Sequence, residues 1–387
     1  MNESTFTPGG GRPGAVARGQ GPSGHEAVGS VAVHTFAAQK SMTTTAHQSM
    51  DGHQVNATAG DQGGTDQARF ADYDDLPEGH FYDPDAEYEP DPEYAATLAP
   101  DAARQRRERI GPTGRPLPYF PIPGPLSEHG PAKIIAMCNQ KGGVGKTTST
   151  INLGAALAEY GRRVLLVDFD PQGALSVGLG VNPMELDLTV YNLLMERGMA
   201  ADEVLLKTAV PNMDLLPSNI DLSAAEVQLV SEVARESTLQ RALKPLMSDY
   251  DYIVIDCQPS LGLLTVNALT AAHKVIVPLE CEFFALRGVA LLTETIEKVQ
   301  ERLNPDLELD GILATMYDSR TVHSREVLAR VVEAFDDHVY HTVIGRTVRF
   351  PETTVAGEPI TTYASNSVGA AAYRQLAREV LARCHAE

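Results

Sequence analysis

Residues 132–387 predict a doubly wound α/β domain with a mainly parallel sheet, preceded by a disordered tail over residues 1–131. Three observations carry that expectation. The first 131 residues are rich in Gly, Pro, Ser, Thr, His and acidic groups, with no helical or strand periodicity long enough to build a core. From Lys133 onward, apolar runs alternate with longer amphipathic stretches, as buried parallel strands and crossover helices do. Two of these runs end in aspartate and one in a glycine loop, which puts polar chemistry where open α/β sheets gather ligands.

Within the tail, residues 72–101 carry eleven Asp and Glu and no Lys or Arg, interleaved with Tyr73, Phe81, Tyr82, Tyr88 and Tyr94. Arg104, Arg106, Arg107 and Arg109 follow directly. Opposite charge blocks with aromatic residues suit solvated disorder, and they also suit contact with a partner or with the folded domain. Residues 111–131 hold Pro112, Pro116, Pro118, Pro121, Pro123 and Pro125 and predict an extended, semi-rigid linker.

The formal net charge is −20, and close to half of it sits in residues 1–132. A surface coated in positive charge is excluded, so any contact with nucleic acid needs a local patch. Cys138, Cys257, Cys281 and Cys384 are far apart in sequence and form no Cys-x-x-Cys pair, which suggests neither a disulfide framework nor a zinc site and fits a reducing cytoplasm. Neither a secretion signal nor a run of about 18 apolar residues is present, so no membrane association is expected by these routes.

The folded part begins with a strand over residues 133–139 (K-I-I-A-M-C-N), the loop Q-K-G-G-V-G-K-T-T over residues 140–148, and a helix over residues 149–160 ended by Gly161. Strand, glycine loop and helix are in the order a phosphate cradle needs. Gly142, Gly143 and Gly145 let the backbone turn successive N–H groups inward, so that the amides of this stretch, Val144 included, face one anion. The new helix directs its positive end to the same place, where the loop closes with Lys146, Thr147 and Thr148. Lys146 suits the β and γ phosphates as a point charge, and the Thr147 hydroxyl suits Mg²⁺.

One position departs from the general pattern G-x-x-x-x-G-K-[ST]. Gln140 stands where its first glycine belongs, and an additional lysine, Lys141, follows. This K-G-G-x-G-K-T form resembles the deviant Walker A family, which contains the ParA/Soj partitioning ATPases, MinD and the nitrogenase iron protein. In that family the lysine matching Lys141 reaches across a two-fold axis to the partner's phosphates. A cation supplied in trans makes hydrolysis depend on dimerisation, by the logic of an arginine finger.

Further segments extend the resemblance. Residues 163–173 (R-V-L-L-V-D-F-D-P-Q-G) are similar to switch I, which implies that Asp170 helps place the attacking water and supports the metal's water shell while Asp168 orders the site from behind. Residues 252–262 (Y-I-V-I-D-C-Q-P-S-L-G) are similar to Walker B and switch II, which implies that Asp256 holds Mg²⁺ through water. Residues 261–269, 275–288, 311–321 and 343–359 also look like ParA/Soj sequence, so the match covers about 133–384 and leaves the tail outside. Ala174, Gln258, Gly345 and Thr347 depart from the Soj-like pattern without removing a phosphate or metal group.

The resemblance implies an ATPase with ATP and Mg²⁺ as cofactors, slow hydrolysis, a homodimer in the ATP state, a ParB-like stimulating partner, and a cytoplasmic, nucleoid-associated location. It also implies non-specific DNA binding by arginines at Arg320 and Arg349. Around them, five arginines face five acidic residues between Ile312 and Arg349, the even balance of an ordinary solvated surface. The alternative is a MinD-like positioning or septum-related ATPase without DNA binding. Such proteins end in a membrane-inserting basic helix, whereas residues 370–384 carry a small, alanine-rich apolar side through Tyr373, Leu376, Val380 and Cys384 that suits packing on the sheet. Strands are expected near 133, 164, 213, 252, 275, 311 and 339.

Overall fold

The computed structural model describes residues 110–282 and 285–385. The disorder expected over residues 1–109 lies outside the described residues.

Near-continuous apolar runs, buried on both faces, build the central strands: β1 (Lys133–Met137), β2 (Val164–Phe169), β4 (Met213–Leu216), β5 (Tyr252–Cys257), β6 (Lys274–Glu280) and β7 (Glu308–Thr315). With a two-residue edge strand, β3 (Leu206–Lys207), they form one sheet in the order β3-β4-β2-β5-β1-β6-β7. Every pairing is parallel except β3 with β4. Because side chains alternate across a strand, Ile134 and Ala136 enter one core while Ile135 and Met137 enter the core on the opposite face. The register sets Met137 and Asp168 each opposite Asp256, which levels the carboxyl ends of β1, β2 and β5 along one edge.

Helix α1 (Lys146–Glu159) follows β1, and the chain turns at Gly161 with φ 76°, a left-handed torsion that glycine adopts without strain. Gly154 lets this helix lie close to the sheet, since a Cβ there would stand 2.6 Å from Leu166 Cδ2. The last helix, α12 (Val368–His385), packs on α1. It buries Tyr373, Leu376, Val380 and Cys384 as one stripe, and each large apolar side chain contributes roughly 1.5–3 kcal/mol. The hydroxyl of Tyr373 lies 3.2 Å from Ser149 Oγ across that contact. Between them in sequence come α2 (Ala174–Gly178), α3 (Val190–Met195), α4 (Ala201–Val204), α5 (Leu222–Gln228), α6 (Thr238–Leu243), α7 (Leu263–Ala271), α8 (Ala285–Arg302), α9 (Val322–Phe335), α10 (Arg349–Ala356) and α11 (Ile360–Tyr363). No described helix is long and apolar enough to cross a membrane.

Two features differ from the sequence expectation. Near residue 339 the chain runs beside β7 but makes only isolated bridges, Val339 to Ile312 and Gly345 to Tyr317. The buried carboxylate of Glu379 accepts the backbone N–H groups of His341 and Thr342 at 2.8 and 2.9 Å, so these donors leave the ladder. The seventh strand is instead β3, too short to show a period.

Residues 110–131, which the sequence assigns to the tail and linker, carry no helix or strand of their own but are fastened to the domain. Arg115 donates to the Asp336 carbonyl at 2.8 Å, and Arg162 to the Gly124 carbonyl at 2.8 Å. Asp251 gathers His129 Nδ1 at 2.8 Å, Gly130 N at 2.9 Å and Arg163 N at 2.7 Å. Arginine side chains and one buried carboxylate thus satisfy a proline-rich stretch whose backbone has few donors to offer a sheet.

Candidate nucleotide site

The glycine loop runs from β1 into α1 with Gly143 at φ 74° and Gly145 at φ 82°, torsions that a Cβ would strain. Its shape is held from outside. Asn139 Oδ1 accepts the Lys141 N–H at 2.9 Å while Asn139 Nδ2 donates to the Pro278 carbonyl at 2.7 Å, and Thr315 Oγ1 donates to the Val144 carbonyl at 2.8 Å. The loop is therefore braced by β6 and β7 on one side. Helix α1 has no acidic residue in its own first turn, and its positive end is directed at the loop.

Lys146 is 7% exposed, and its ammonium donates to the Lys141 carbonyl at 3.0 Å inside the loop. Burial lowers its pKa, opposed by the charge of Asp256. Thr147 Oγ1 donates to Asp256 Oδ2 at 2.7 Å, so two oxygens of the kind Mg²⁺ takes face each other at the end of β5. Asp256 is fully enclosed, and burial, aided by the charge of Asp168, pushes its carboxyl up to about 8. A buried carboxylate so disfavoured as an anion is suited to a cation. The loop amides, Lys146, Thr147 and Asp256 together fit a nucleoside triphosphate with Mg²⁺.

Asp168 and Asp170, two residues apart at the end of β2, have different surroundings. Asp168 is buried at the end of β2 and accepts from Ser176 N at 2.8 Å and Ser176 Oγ at 2.7 Å, which fastens the start of α2; burial pushes it up to about 6. Asp170 faces outward, accepts from Gln172 N at 3.0 Å, and lies close enough for its charge to act on Asp256 and Lys146. Gln258, a departure from the Soj-like pattern, donates from Nε2 to Glu226 Oε1 at 2.8 Å and ties this loop to α5.

Lys141 has different surroundings. Its side chain is 46% exposed and reaches the end of β6, where Nζ donates to Glu280 Oε2 at 2.9 Å and to Glu282 Oε2 at 2.5 Å. Burial works against its charge, but hydrogen bonds to Glu282 and Glu280 outweigh that and hold the ammonium above the ordinary lysine value. Glu280 is also 3.4 Å from Arg346 Nη2.

A cavity of about 600 Å³ opens beside the loop, lined by Gly145, Thr148, Met316, Arg320, Arg346 and Pro351 among others. Its size suits a nucleoside. Met316 holds φ 49°, a strained torsion for a side-chain-bearing residue at the mouth of β7. Arg320 lies on this cavity and pairs with both oxygens of Asp318 at 3.0 Å; Arg349, at the start of α10, pairs with Glu352 at 2.9 Å. The cavity and the roles of Asn139, Thr315 and the two glutamates are not legible in the sequence, although those residues lie in the quoted segments, because nothing in the local spacing shows that β6 and β7 flank the loop. Similarly, Cys138 and Cys257, 119 residues apart in sequence, sit side by side with their sulfurs 3.1 Å apart. Among the described residues no cluster of metal-ligating side chains appears.

Comparison with known proteins agrees with this geometry. A family model described as an AAA domain matches residues 132–309. An uncharacterised protein of Mycobacterium tuberculosis is 69% identical over 274 residues, 71% of this chain and 86% of that protein. The chromosome-partitioning ATPase Soj of Treponema pallidum is 49% identical over 251 residues, 65% of this chain and 98% of the relative. A Mycobacterium smegmatis crystal structure, titled cobyrinic acid a,c-diamide synthase with bound ADP and magnesium, superposes with a TM-score of 0.59 and is 46% identical, covering 66% of this chain and 96% of that one. Loop, switches and sheet order, together with a relative matched almost from end to end, establish that this chain belongs to the ParA/Soj family of chromosome-partitioning ATPases.

Proposed function

We propose that this protein is an ATP-operated dimerisation switch that binds DNA non-specifically in its ATP state and hydrolyses ATP slowly as part of chromosome partitioning. ATP and Mg²⁺ are its cofactors. The loop amides and Lys146 bind the β and γ phosphates, and Thr147 and Asp256, whose oxygens face each other at the end of β5, would hold Mg²⁺. Bound Mg²⁺ supplies neutralisation of the phosphate charge that develops during hydrolysis. Asp170 orients water, Asp168 keeps the switch in place, and Thr148 and Pro351 border the nucleoside. The M. smegmatis structure, which holds ADP and magnesium, and the Soj ATPase of T. pallidum both match most of this chain's folded part, which supports this reading of the ligands.

The observation that carries the switch is the direction of the two lysines. Lys146 turns into its own loop, whereas Lys141 leaves that loop for the half-exposed rim. A lysine on the rim of one protomer is placed to serve a neighbour, as an arginine finger does. Arg320 and Arg349 are exposed near the same rim, and a two-fold dimer doubles such a patch. A ParB-like protein and the nucleoid are the partners this reading expects. The test is DNA co-sedimentation of the full chain with ATP, with ADP and without nucleotide. Retention only with ATP, weakening steeply with salt, supports the reading; equal sedimentation in all three states contradicts it.

A further inference from the structure

Two carboxylates converge on one ammonium at the end of β6. Glu280 closes the strand, with its side chain only 13% exposed, and Glu282 follows two residues later with 54% exposed. The backbone between them is folded back, the Glu282 N–H donating to the Glu280 carbonyl at 2.7 Å, so both side chains leave the same side of the turn. Lys141 spans the gap to both from the glycine loop, 139 residues away in sequence. Its backbone is fixed by Asn139, which leaves the side chain as the movable part. Arg346 stands beside Glu280 at 3.4 Å and adds a second cation to the same carboxylate.

We propose that Glu280 and Glu282 are positioning residues that hold Lys141 in the free protomer, so that the partner's triphosphate must win the ammonium from two carboxylates before the dimer closes. The inference rests on the trans role of Lys141 proposed above. With two of its three donors given to carboxylates, Lys141 could meet a partner's polyphosphate only by gathering three anionic groups around one positive charge, so the phosphate must displace a carboxylate. The latch is strong enough to order a flexible side chain, yet half-exposed ion pairs are weak enough to exchange. A triphosphate carries more charge than a diphosphate at this point, so the exchange favours ATP over ADP. Arg346 is placed to neutralise Glu280 once Lys141 has left, which keeps that carboxylate paired in the dimer.

The test measures dimerisation of the full chain by sedimentation velocity as ATPγS is titrated, for wild type, Glu280→Gln, Glu282→Gln, the double variant and Glu282→Asp. The glutamines keep a hydrogen-bonding oxygen and lose the charge. With the latch weakened, the nucleotide concentration that gives half-maximal dimer should fall by about three- to tenfold, the double variant most, because exposed ion pairs are individually weak. Glu282→Asp should restore the wild-type value in large part, which a merely structural role for the side-chain amide would not do. Binding of fluorescent ATP to dilute, monomeric protein should stay unchanged across the set. An unchanged or raised threshold in Glu282→Gln, whose side chain is exposed enough to spare the fold, overturns the latch whatever Glu280→Gln does. Lys141→Ala separates the two readings: dimer-coupled hydrolysis persisting in that variant sinks the trans role, whereas its loss alongside unaltered glutamine variants sinks the latch alone.

Discussion

Lys146 and Lys141 belong to one loop and meet opposite surroundings. The floor of the site, where Lys146, Thr147 and Asp256 meet, is enclosed by β1, β5 and α1 and is complete within one chain. The rim, where Lys141, Glu280, Glu282 and Arg346 meet, is half-exposed and held by ion pairs between flexible side chains. A buried floor preorganises nucleotide binding, because its charges and dipoles are already in place. A solvated rim can change partners at small cost. One loop thus carries two lysines in different materials, one enclosed and one exchangeable, and the proposed switch draws on the second.

Damage to the floor should be the most severe. Lys146→Ala removes the point charge aimed at the phosphates and leaves Asp256 and Asp170 uncompensated, so hydrolysis should fall by at least about 10²–10³-fold and fluorescent ATP binding should be lost with it. If ATP still bound normally, the floor would not be the binding determinant and the contrast with the rim would fail.

Changes at the rim should be milder and more selective. Arg320→Ala with Arg349→Ala should leave ATP binding within about twofold while DNA retention weakens, its log-log salt slope falling by about one for each phosphate that is no longer neutralised. Arg320 borders the nucleotide cavity and is paired with Asp318, which is held at about 2 by hydrogen bonds from Arg320. A rise in the ATP requirement without a change in the salt slope would therefore move Arg320 from DNA to nucleotide.

Behind the floor, a still smaller change is expected. Tyr373→Phe removes the hydrogen bond to Ser149 and should lower stability by about 1 kcal/mol in urea unfolding, with ATP turnover preserved. A change in turnover without a change in stability would show that α12 acts on α1 beyond packing.

The floor was legible in the sequence because each piece carries its own signal: strand, glycine loop and helix are contiguous, and Asp256, which the pairing of β5 with β1 brings to Thr147, ends a long apolar run. The same holds for α12, whose stripe of Tyr373, Leu376, Val380 and Cys384 is buried as its spacing implies. The rest depends on strand order, which joins residues far apart in sequence. Glu280 and Glu282 stand in a run that resembles the family, yet only the placement of β6 next to β1 brings them to Lys141. Thr315 braces the loop because β7 lies beyond β6, and the segment near 339 keeps only single bonds to β7, from Tyr340 and Ile344, since the N–H groups of His341 and Thr342 between them go to Glu379. Residues 110–131 look like a free linker by composition, but Arg162 and Asp251 partner its backbone and its own Arg115 reaches the Asp336 carbonyl.

Whether Lys141 acts on the nucleotide of a neighbour is decided by ATP turnover per protomer, followed against protein concentration for wild type and Lys141→Ala. Wild-type turnover should rise with concentration as dimers form, while the variant stays flat and still binds ATP. Equal, concentration-dependent turnover in both would contradict a role in trans.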